Sequence, residues 1–104
     1  MDQFLKTISS LNDETRLKIV RFINENGKVC VCDIENSFGM IQSRASRHLK
    51  ILKEAGFLKV ERVGRWAYYS IRSPLDIFRQ DILKEISFLE LDTPKLTHSC
   101  KMEN

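Results

Sequence analysis

Apolar residues repeat at helical spacing between residues 11 and 27 of the chain. Asn12 or Asp13 can cap the start of such a helix, and Gly27 can end it. The apolar positions are Leu17, Ile19, Val20, Phe22 and Ile23. This spacing predicts a helix with one face in the protein core.

Two further helices are predicted on either side of a glycine turn. A short one is expected from Cys32 to Ser37, because "FGM" follows it and glycine permits a tight turn. A longer one is expected from Gln42 to Ala55, where Gly56 stops it. Its apolar stripe comprises Ile41, Ala45, His48, Leu49 and Leu52, and its other side carries Ser43, Arg44, Arg47, Lys50 and Glu54. One face of this helix therefore packs, and the other is polar and mostly basic.

The segment "FLKVERVGRWAYYSIRS" alternates in the manner of a β-strand on both sides of Gly64. Its β-branched and aromatic residues favour a β-hairpin, which carries Arg62 and Arg65 at its tip. We expect the hairpin aromatics to pack rather than to form a base-stacking platform; they are Trp66, Tyr68 and Tyr69. His48 lies on the apolar stripe of the longer predicted helix, so it is interpreted as a hydrogen-bonded packing residue.

A last helix is predicted after Pro74, a residue that the first turn of a helix accepts. Its apolar positions are Leu75, Ile77, Phe78, Ile82, Leu83, Ile86 and Leu89. Beyond Asp92 the segment "TPKLTHSCKMEN" has no period. The pattern predicts one domain over residues 1–91 and a flexible C-terminal tail over residues 92–104.

The order of these elements defines the expected fold class. A short helix, a turn, a basic amphipathic helix and a hairpin with arginines at its tip follow one another as in a winged helix-turn-helix, a mainly α fold with a β-hairpin (α+β). Such a domain places one helix in the major groove of double-stranded DNA and its hairpin beside the adjacent backbone.

Length and composition limit the range of interpretations. A chain of 104 residues suits one domain, and a second copy would supply extra core, so we expect a homodimer. No apolar run approaches the roughly 18 residues of a membrane span, and the start "MDQFLKTISS" lacks the pattern of a signal peptide, so no membrane contact and a cytoplasmic location are expected. The three cysteines do not form the pattern of a disulfide framework, and in a reducing cytosol closely spaced thiols favour metal binding or redox chemistry.

The distribution of charge is more informative than its sum. The chain carries a net charge of +3, but residues 42–72 hold eight basic and two acidic side chains, so this segment is +6 and the remainder is −3. A basic segment of this kind is typical of a polyanion-binding surface, although a solvated face has the same composition. The candidate DNA-binding residues are Gln42, Ser43, Arg44, Ser46, Arg47, Lys50, Arg62 and Arg65.

Three stretches, "GKVCVCDIENSF", "SRASRHLKILKEAGFL" and "VGRWAYYSI", resemble in order and spacing the ArsR/SmtB family of metal-sensing repressors, over roughly residues 4–89. The "CVCD" pattern is most similar to that of the arsenic(III)-responsive repressors. The resemblance implies a homodimer that is bound to promoter DNA until arsenite or antimonite, As(III) or Sb(III), binds to cysteine thiolates. It assigns Cys30 and Cys32 as ligands.

The third ligand is left open by a departure from the pattern. The resembling arsenic repressors have a third cysteine where this chain has Glu35, and a carboxylate is a hard donor that a thiophilic ion does not select. Either Cys100 in the tail completes the site, or a thiol or water from solution does. A Zn(II) or Cd(II) site of three cysteines and His98 is the second alternative for the ligands. A repressor of the same fold that responds to zinc, cadmium or oxidation of the vicinal thiols is the alternative function.

Two other interpretations are disfavoured. The family's zinc site on the last helix uses histidines, and "PLDIFRQDILKEISFL" has none, so that site is interpreted as absent. A thiol-disulfide enzyme would be expected to have C-x-x-C within a βαβ pattern, whereas this chain has C-x-C without one. We therefore expect that the chain is not an enzyme.

The spacing of the two cysteines constrains how they can bind one ion. Residues two apart on a regular helix point about 200° apart, so the backbone around Val31 must leave helical geometry for both sulfurs to reach the same ion. Such a distortion would lie directly before the turn that positions the basic helix. A position at a helix N-terminus also predicts a lowered thiol pKa for Cys30 and Cys32.

Overall fold

The computed structural model describes residues 1–96 and confirms the mainly α winged helix-turn-helix architecture. In the order of the chain, the elements are α1 (Asp2–Ser10), α2 (Glu14–Asn26), β1 (Val29–Cys30), α3 (Val31–Phe38), α4 (Gln42–Glu54), β2 (Leu58–Val63), β3 (Trp66–Ile71) and α5 (Ile77–Ser87). The strands form one antiparallel sheet in the order β1-β3-β2. The wing is the β2–β3 hairpin, and α4 is the recognition helix.

Helix α2 has both a capping residue at its start and apolar residues at helical spacing. Its apolar face places it at the centre of the domain. The Asp13 carboxylate accepts the Arg16 backbone N–H at 3.1 Å, which satisfies one of the free amides of the first turn. Four side chains of α2 are buried against the recognition helix and the sheet: Ile19, Val20, Phe22 and Ile23. They meet Leu49, Leu52 and Phe57 in one continuous core.

The turn between α3 and the recognition helix depends on Gly39. Its φ of 62° lies in the left-handed region, which glycine adopts without a steric penalty. The backbone N–H of Met40 then donates to the Glu35 carbonyl at 3.2 Å and closes the end of α3. This turn fixes where the recognition helix begins.

The strand β1 is a third strand that the sequence did not predict. It has two residues and pairs with β3, so that Val29 lies opposite Tyr69. The start of α5 also differs from the prediction. Pro74 precedes that helix, which begins at Ile77 after the Asp76 carboxylate caps it by accepting the Arg79 backbone N–H at 3.2 Å.

The segment after α5 has neither helix nor strand up to residue 96. Leu91 and Leu96 are partly buried against the core. Within the described part of the chain, no helix combines the length and the apolar character needed to cross a membrane.

Candidate metal centre and nucleic-acid interface

Cys30 and Cys32 lie on the two sides of a strand-to-helix junction. Cys30 ends β1 in an extended conformation, with φ −93° and ψ 169°, and is the N-cap residue of α3, whereas Cys32 lies in the first turn of the helix. Because the backbone is extended at Cys30, the two sulfurs are not separated as on a regular helix, and their Sγ atoms are 3.0 Å apart. The departure from helical geometry that the spacing required is therefore already present.

Asp33 holds this junction together, and the sequence analysis did not identify it. Its Oδ2 accepts the backbone N–H of Cys30 at 3.0 Å, which completes a capping box between the N-cap residue and the third residue of the helix. The Asp33 side chain is buried, and its carboxylate lies with both cysteine sulfurs in a group whose ligand atoms are all within 4.8 Å of one another. The signal for it was the C-x-x-D spacing, which follows the S/T-x-x-E capping pattern.

The expected lowering of the thiol pKa is wrong for Cys30. Burial raises the pKa of the Cys30 thiol, and the nearby charge of Asp33 also acts in that direction. The side chain is 1% exposed, so the cost of removing a thiolate from water outweighs the amides of the helix start. The two sulfurs therefore lie close together, with Cys30 shielded from water and Cys32 partly exposed.

The recognition helix presents the candidate DNA-binding residues outward. Gln42, Ser43, Arg44, Arg47 and Lys50 are exposed, and Ser46 is partly buried. Arg62, near the end of β2, and Arg65, in the wing turn, are both exposed. Within residues 1–96, none of the basic side chains in this set forms a salt bridge. Their charges are therefore available to an external polyanion.

A cleft of about 550 Å³ joins the thiol site to this basic surface. The cationic cleft, as we call it, lies between α3, the recognition helix and the wing. Its polar lining comprises Cys32, Glu35, Gln42, Ser46, Lys50, Lys53, Arg62 and Arg65. One ligand candidate and several DNA-binding candidates therefore line the same cavity.

Of the residues interpreted as packing residues, Tyr68, Tyr69 and His48 are buried, whereas Trp66 is only partly buried. Tyr68 and Tyr69 are less than a tenth exposed, and Arg65 lies over the Trp66 ring at 5.4 Å. The His48 side chain is 3% exposed, with its Nδ1 3.3 Å from the Arg16 guanidinium. Its Nε2 has no hydrogen-bond partner in the described part of the chain.

The helices α1 and α5 expose apolar side chains next to one another. The Phe4 and Phe78 rings stack with their centroids 5.5 Å apart, although Phe4 remains half exposed. The α1/α5 surface, as we call it, comprises Phe4, Leu5, Ile8, Ile77 and Phe78. Contiguous exposed apolar surface of this kind is typical of a protein interface.

The fold and the outward basic helix define a DNA-binding protein of the winged helix-turn-helix class. Comparison with known proteins gives the family: residues 13–60 match "Bacterial regulatory protein, arsR family". The chain belongs to the arsR family. Because this family consists of transcriptional regulators, the expectation that the chain is not an enzyme is confirmed.

Two relatives and one solved structure are among the most similar proteins. The arsenical resistance operon repressor of Escherichia coli is 37% identical over 72% of this chain and 64% of its own length. A cadmium resistance regulatory protein CadC homolog of Staphylococcus aureus is 38% identical over 64% of this chain and 54% of its own length. The chain thus spans less than two thirds of either relative. The homodimeric winged helix-turn-helix domain of a possible ArsR-family regulator from Mycobacterium bovis is 29% identical, with a TM-score of 0.71 over 86% of this chain and 83% of its own.

Proposed function

We propose that this protein is a cytoplasmic repressor that binds operator DNA as a homodimer and is released when As(III) or Sb(III) binds to Cys30 and Cys32. The observation that carries the proposal is the 3.0 Å separation of the two Sγ atoms at the start of α3. Soft thiolates are the donors that a thiophilic ion selects. The similarity to an arsenical resistance operon repressor supports the same class of inducer.

We assign the third sulfur to Cys100. That residue and His98 lie outside the described residues, so the assignment depends on chemistry: Cys100 is the remaining cysteine of the chain. Glu35 and Asp33 offer hard oxygen donors, and the Asp33 carboxylate already accepts the Cys30 backbone N–H. A thiol or water from solution is the alternative third ligand.

The proposed DNA contacts follow from the basic face of the recognition helix and from the wing. Arg44, Arg47 and Lys50 are assigned to phosphates or base edges in the major groove, and Arg62 and Arg65 to the adjacent backbone. Gln42, Ser43 and Ser46 are assigned as lesser contacts. Because Cys32 and Glu35 line the cationic cleft with some of these residues, an ion at the thiols would change the surface that DNA must approach.

The α1/α5 surface supports the homodimer. A chain of 104 residues buries a modest part of its surface, and the exposed phenylalanine and aliphatic side chains on these two helices would be covered by the same helices of a second copy. The homodimeric M. bovis domain has the same fold. Residues 1–91 would then form the DNA-binding and dimerisation domain, with residues 92–104 as its tail.

A second candidate is a Zn(II) or Cd(II) sensor with the same fold. Asp33 places a carboxylate oxygen beside the two sulfurs, and Zn(II) accepts mixed sulfur and oxygen ligands, unlike a purely thiophilic ion. The similarity to a cadmium resistance regulator favours the same group of ions.

A gel-shift assay with DNA from the protein's own promoter tests the proposal. The reduced protein is titrated with arsenite, antimonite, zinc and cadmium in separate series, beside the Cys32→Ser variant. Release by arsenite and antimonite from the wild type alone supports the leading proposal, and release by zinc or cadmium alone supports the second candidate. A complex that none of the ions dissociates contradicts both.

A further inference from the structure

The guanidinium of Arg79 joins the helices of the α1/α5 surface to the end of the recognition helix. Arg79 lies in the first turn of α5, and its side chain is 14% exposed. Its Nε donates to the Ala55 carbonyl at 2.9 Å, and its Nη2 donates to the Thr7 hydroxyl of α1 at 2.7 Å. Its Nη1 donates to the Asp76 carboxylate at 2.7 Å. One side chain therefore contacts α1, α5 and the C-terminus of the recognition helix.

The Ala55 carbonyl is the point where these helices converge. Ala55 is the C-cap residue of the recognition helix, where carbonyls have no partner within the helix and carry the negative end of its dipole. A guanidinium is a charged donor and suits this position. The Thr7 hydroxyl, which is buried, also lies 3.3 Å from the same carbonyl.

The turn after the recognition helix leaves room for the guanidinium. At Gly56 the φ is +90°, and a Cβ would lie 2.7 Å from Arg79 Nε. The Arg79 Cζ lies over the fully buried Phe57 ring, 5.7 Å from the ring centroid. Gly56 and Phe57 thus enclose the guanidinium, so its position is fixed by packing and not only by its hydrogen bonds.

We propose that Arg79 is a positioning residue that sets the orientation of the recognition helix relative to the dimer. This inference rests on the proposed homodimeric repressor. Phe78 precedes Arg79 on α5, and Phe4 and Thr7 share α1, so the helices that Arg79 holds are those of the α1/α5 surface. A dimer binds two half-sites only when its two recognition helices have a fixed separation, about one turn of DNA.

The test compares DNA with two half-sites against DNA with one half-site. In Arg79→Met the Ala55 and Thr7 contacts are lost, and we expect the affinity for the two-half-site operator to fall about tenfold, as for loss of a charged hydrogen bond. The affinity for a single half-site should stay near the wild-type value. The preference for one half-site spacing should also relax when base pairs are inserted between the half-sites.

Arg21→Met is the matched control. Arg21 caps the end of α5 by donating to the Ile86 and Leu89 carbonyls at 3.1 and 2.6 Å, and it makes no hydrogen bond to the recognition helix. It should lower thermal stability without changing the ratio of two-site to one-site affinity. Arg79→Lys, which keeps a charge without the planar fork, should change the ratio less than Arg79→Met does.

The outcomes separate the inference from the proposed function. Equal loss of affinity for both DNAs in Arg79→Met, or no loss for either, overturns the positioning role. If Arg79→Met does not fold, Thr7→Val and Arg79→Lys are measured in its place. An unchanged ratio of two-site to one-site affinity and an unchanged spacing preference in both variants overturn the positioning role. A wild-type protein that does not prefer two half-sites overturns the homodimeric repressor together with this inference.

Discussion

Cys30 and Tyr68 lie opposite each other in the antiparallel pairing of β1 with β3. A candidate ligand residue is therefore part of the same sheet as the wing. Close by, the Lys28 ammonium lies 3.0 Å from the Glu61 carboxylate of β2, which forms a second link between this segment and the wing. A displacement of Cys30 by a bound ion would reach the wing through the sheet as well as the recognition helix through α3.

Serine at position 30 or 32 should separate sensing from DNA binding. Cys30→Ser and Cys32→Ser each remove a thiolate at nearly constant shape, so arsenite-driven release should be abolished. Serine is a favoured N-cap residue, so Cys30→Ser should keep the start of α3 and the affinity for operator DNA. Gel shifts with and without arsenite measure both effects. Normal release in either variant would remove that cysteine from the proposed site.

The Asp33 carboxylate should stabilise the junction more than it binds the ion. Asp33→Ala leaves the buried Cys30 N–H without its acceptor and should lower the free energy of unfolding by about 1–2 kcal/mol. Asp33→Asn keeps an oxygen acceptor in nearly the same shape and should lose less. Urea unfolding gives both values. If Asp33→Asn releases DNA at the same arsenite dose as the wild type, the carboxylate is not a ligand.

The basic face should be recognisable from the salt dependence of DNA binding. Alanine at Arg44, Arg47 or Arg65 removes one phosphate contact from each half of a dimer, so the salt slope should flatten by about 2. Affinity should fall while arsenite binding is unchanged. Lys18→Ala on α2 is the control, because Lys18 pairs with Glu14 away from this surface. Unaltered slopes in all the arginine variants would show that DNA binds elsewhere.

His48 should make stability fall in mildly acidic solution. Burial lowers the pKa of the His48 imidazole, and the charges of Arg16 act in the same direction against the opposing effect of Asp13. The unfolded chain keeps an ordinary pKa of about 6.5, so it binds the proton more readily than the folded protein. This contribution to stability is complete above about pH 6.5 and is lost as the pH falls towards the lower folded pKa.

Denaturation midpoints at about pH 7.5 and about pH 5.5 measure this effect. The wild type should lose stability over this interval, and His48→Gln should lose less of it. Asp13 does not confuse the comparison, because its lowered carboxyl pKa places its own titration at more acidic pH. An equal loss of stability between the two pH values in both proteins would mean that His48 does not take up a proton on unfolding in this range.

Cys100 should determine the dose at which arsenite acts. If it supplies the third sulfur, Cys100→Ser should shift release to higher arsenite concentrations, and X-ray absorption should show one sulfur neighbour fewer around arsenic. The thiolates of Cys30 and Cys32 remain in this variant, so some binding should persist. The same dose with the same number of sulfur neighbours would assign the third position to a solution ligand.

The long elements were predictable from local signals. The helix that begins at Glu14 has a capping aspartate and apolar spacing within its own sequence, and the wing has alternation around Gly64. The two residues of β1 contain no period, because their identity as a strand depends on pairing with β3, some forty residues later. Contacts of that range are not visible in a local pattern.

The same limit applied to the site. The two cysteines were identified from the resemblance of the "CVCD" pattern to that of the arsenic(III)-responsive repressors, but the burial that raises the pKa of the Cys30 thiol depends on packing by distant residues. Asp33 was missed because the helix was expected to start at Cys32. With Cys30 as the N-cap residue, Asp33 is the third residue of the helix, where a capping carboxylate belongs.

The unequal exposure of the two sulfurs has a kinetic consequence. Cys30 is 1% exposed, whereas Cys32 is partly exposed and lines the cationic cleft. If As(III) is the inducer as proposed, then in the reduced protein the Cys32 thiol would displace the first hydroxide of an arriving arsenite, which leaves as water, at a rate proportional to arsenite concentration. Closure onto Cys30 would follow at a rate set by local opening of the junction and independent of concentration. The time that the protein takes to respond would then have a lower limit that no excess of arsenite can shorten.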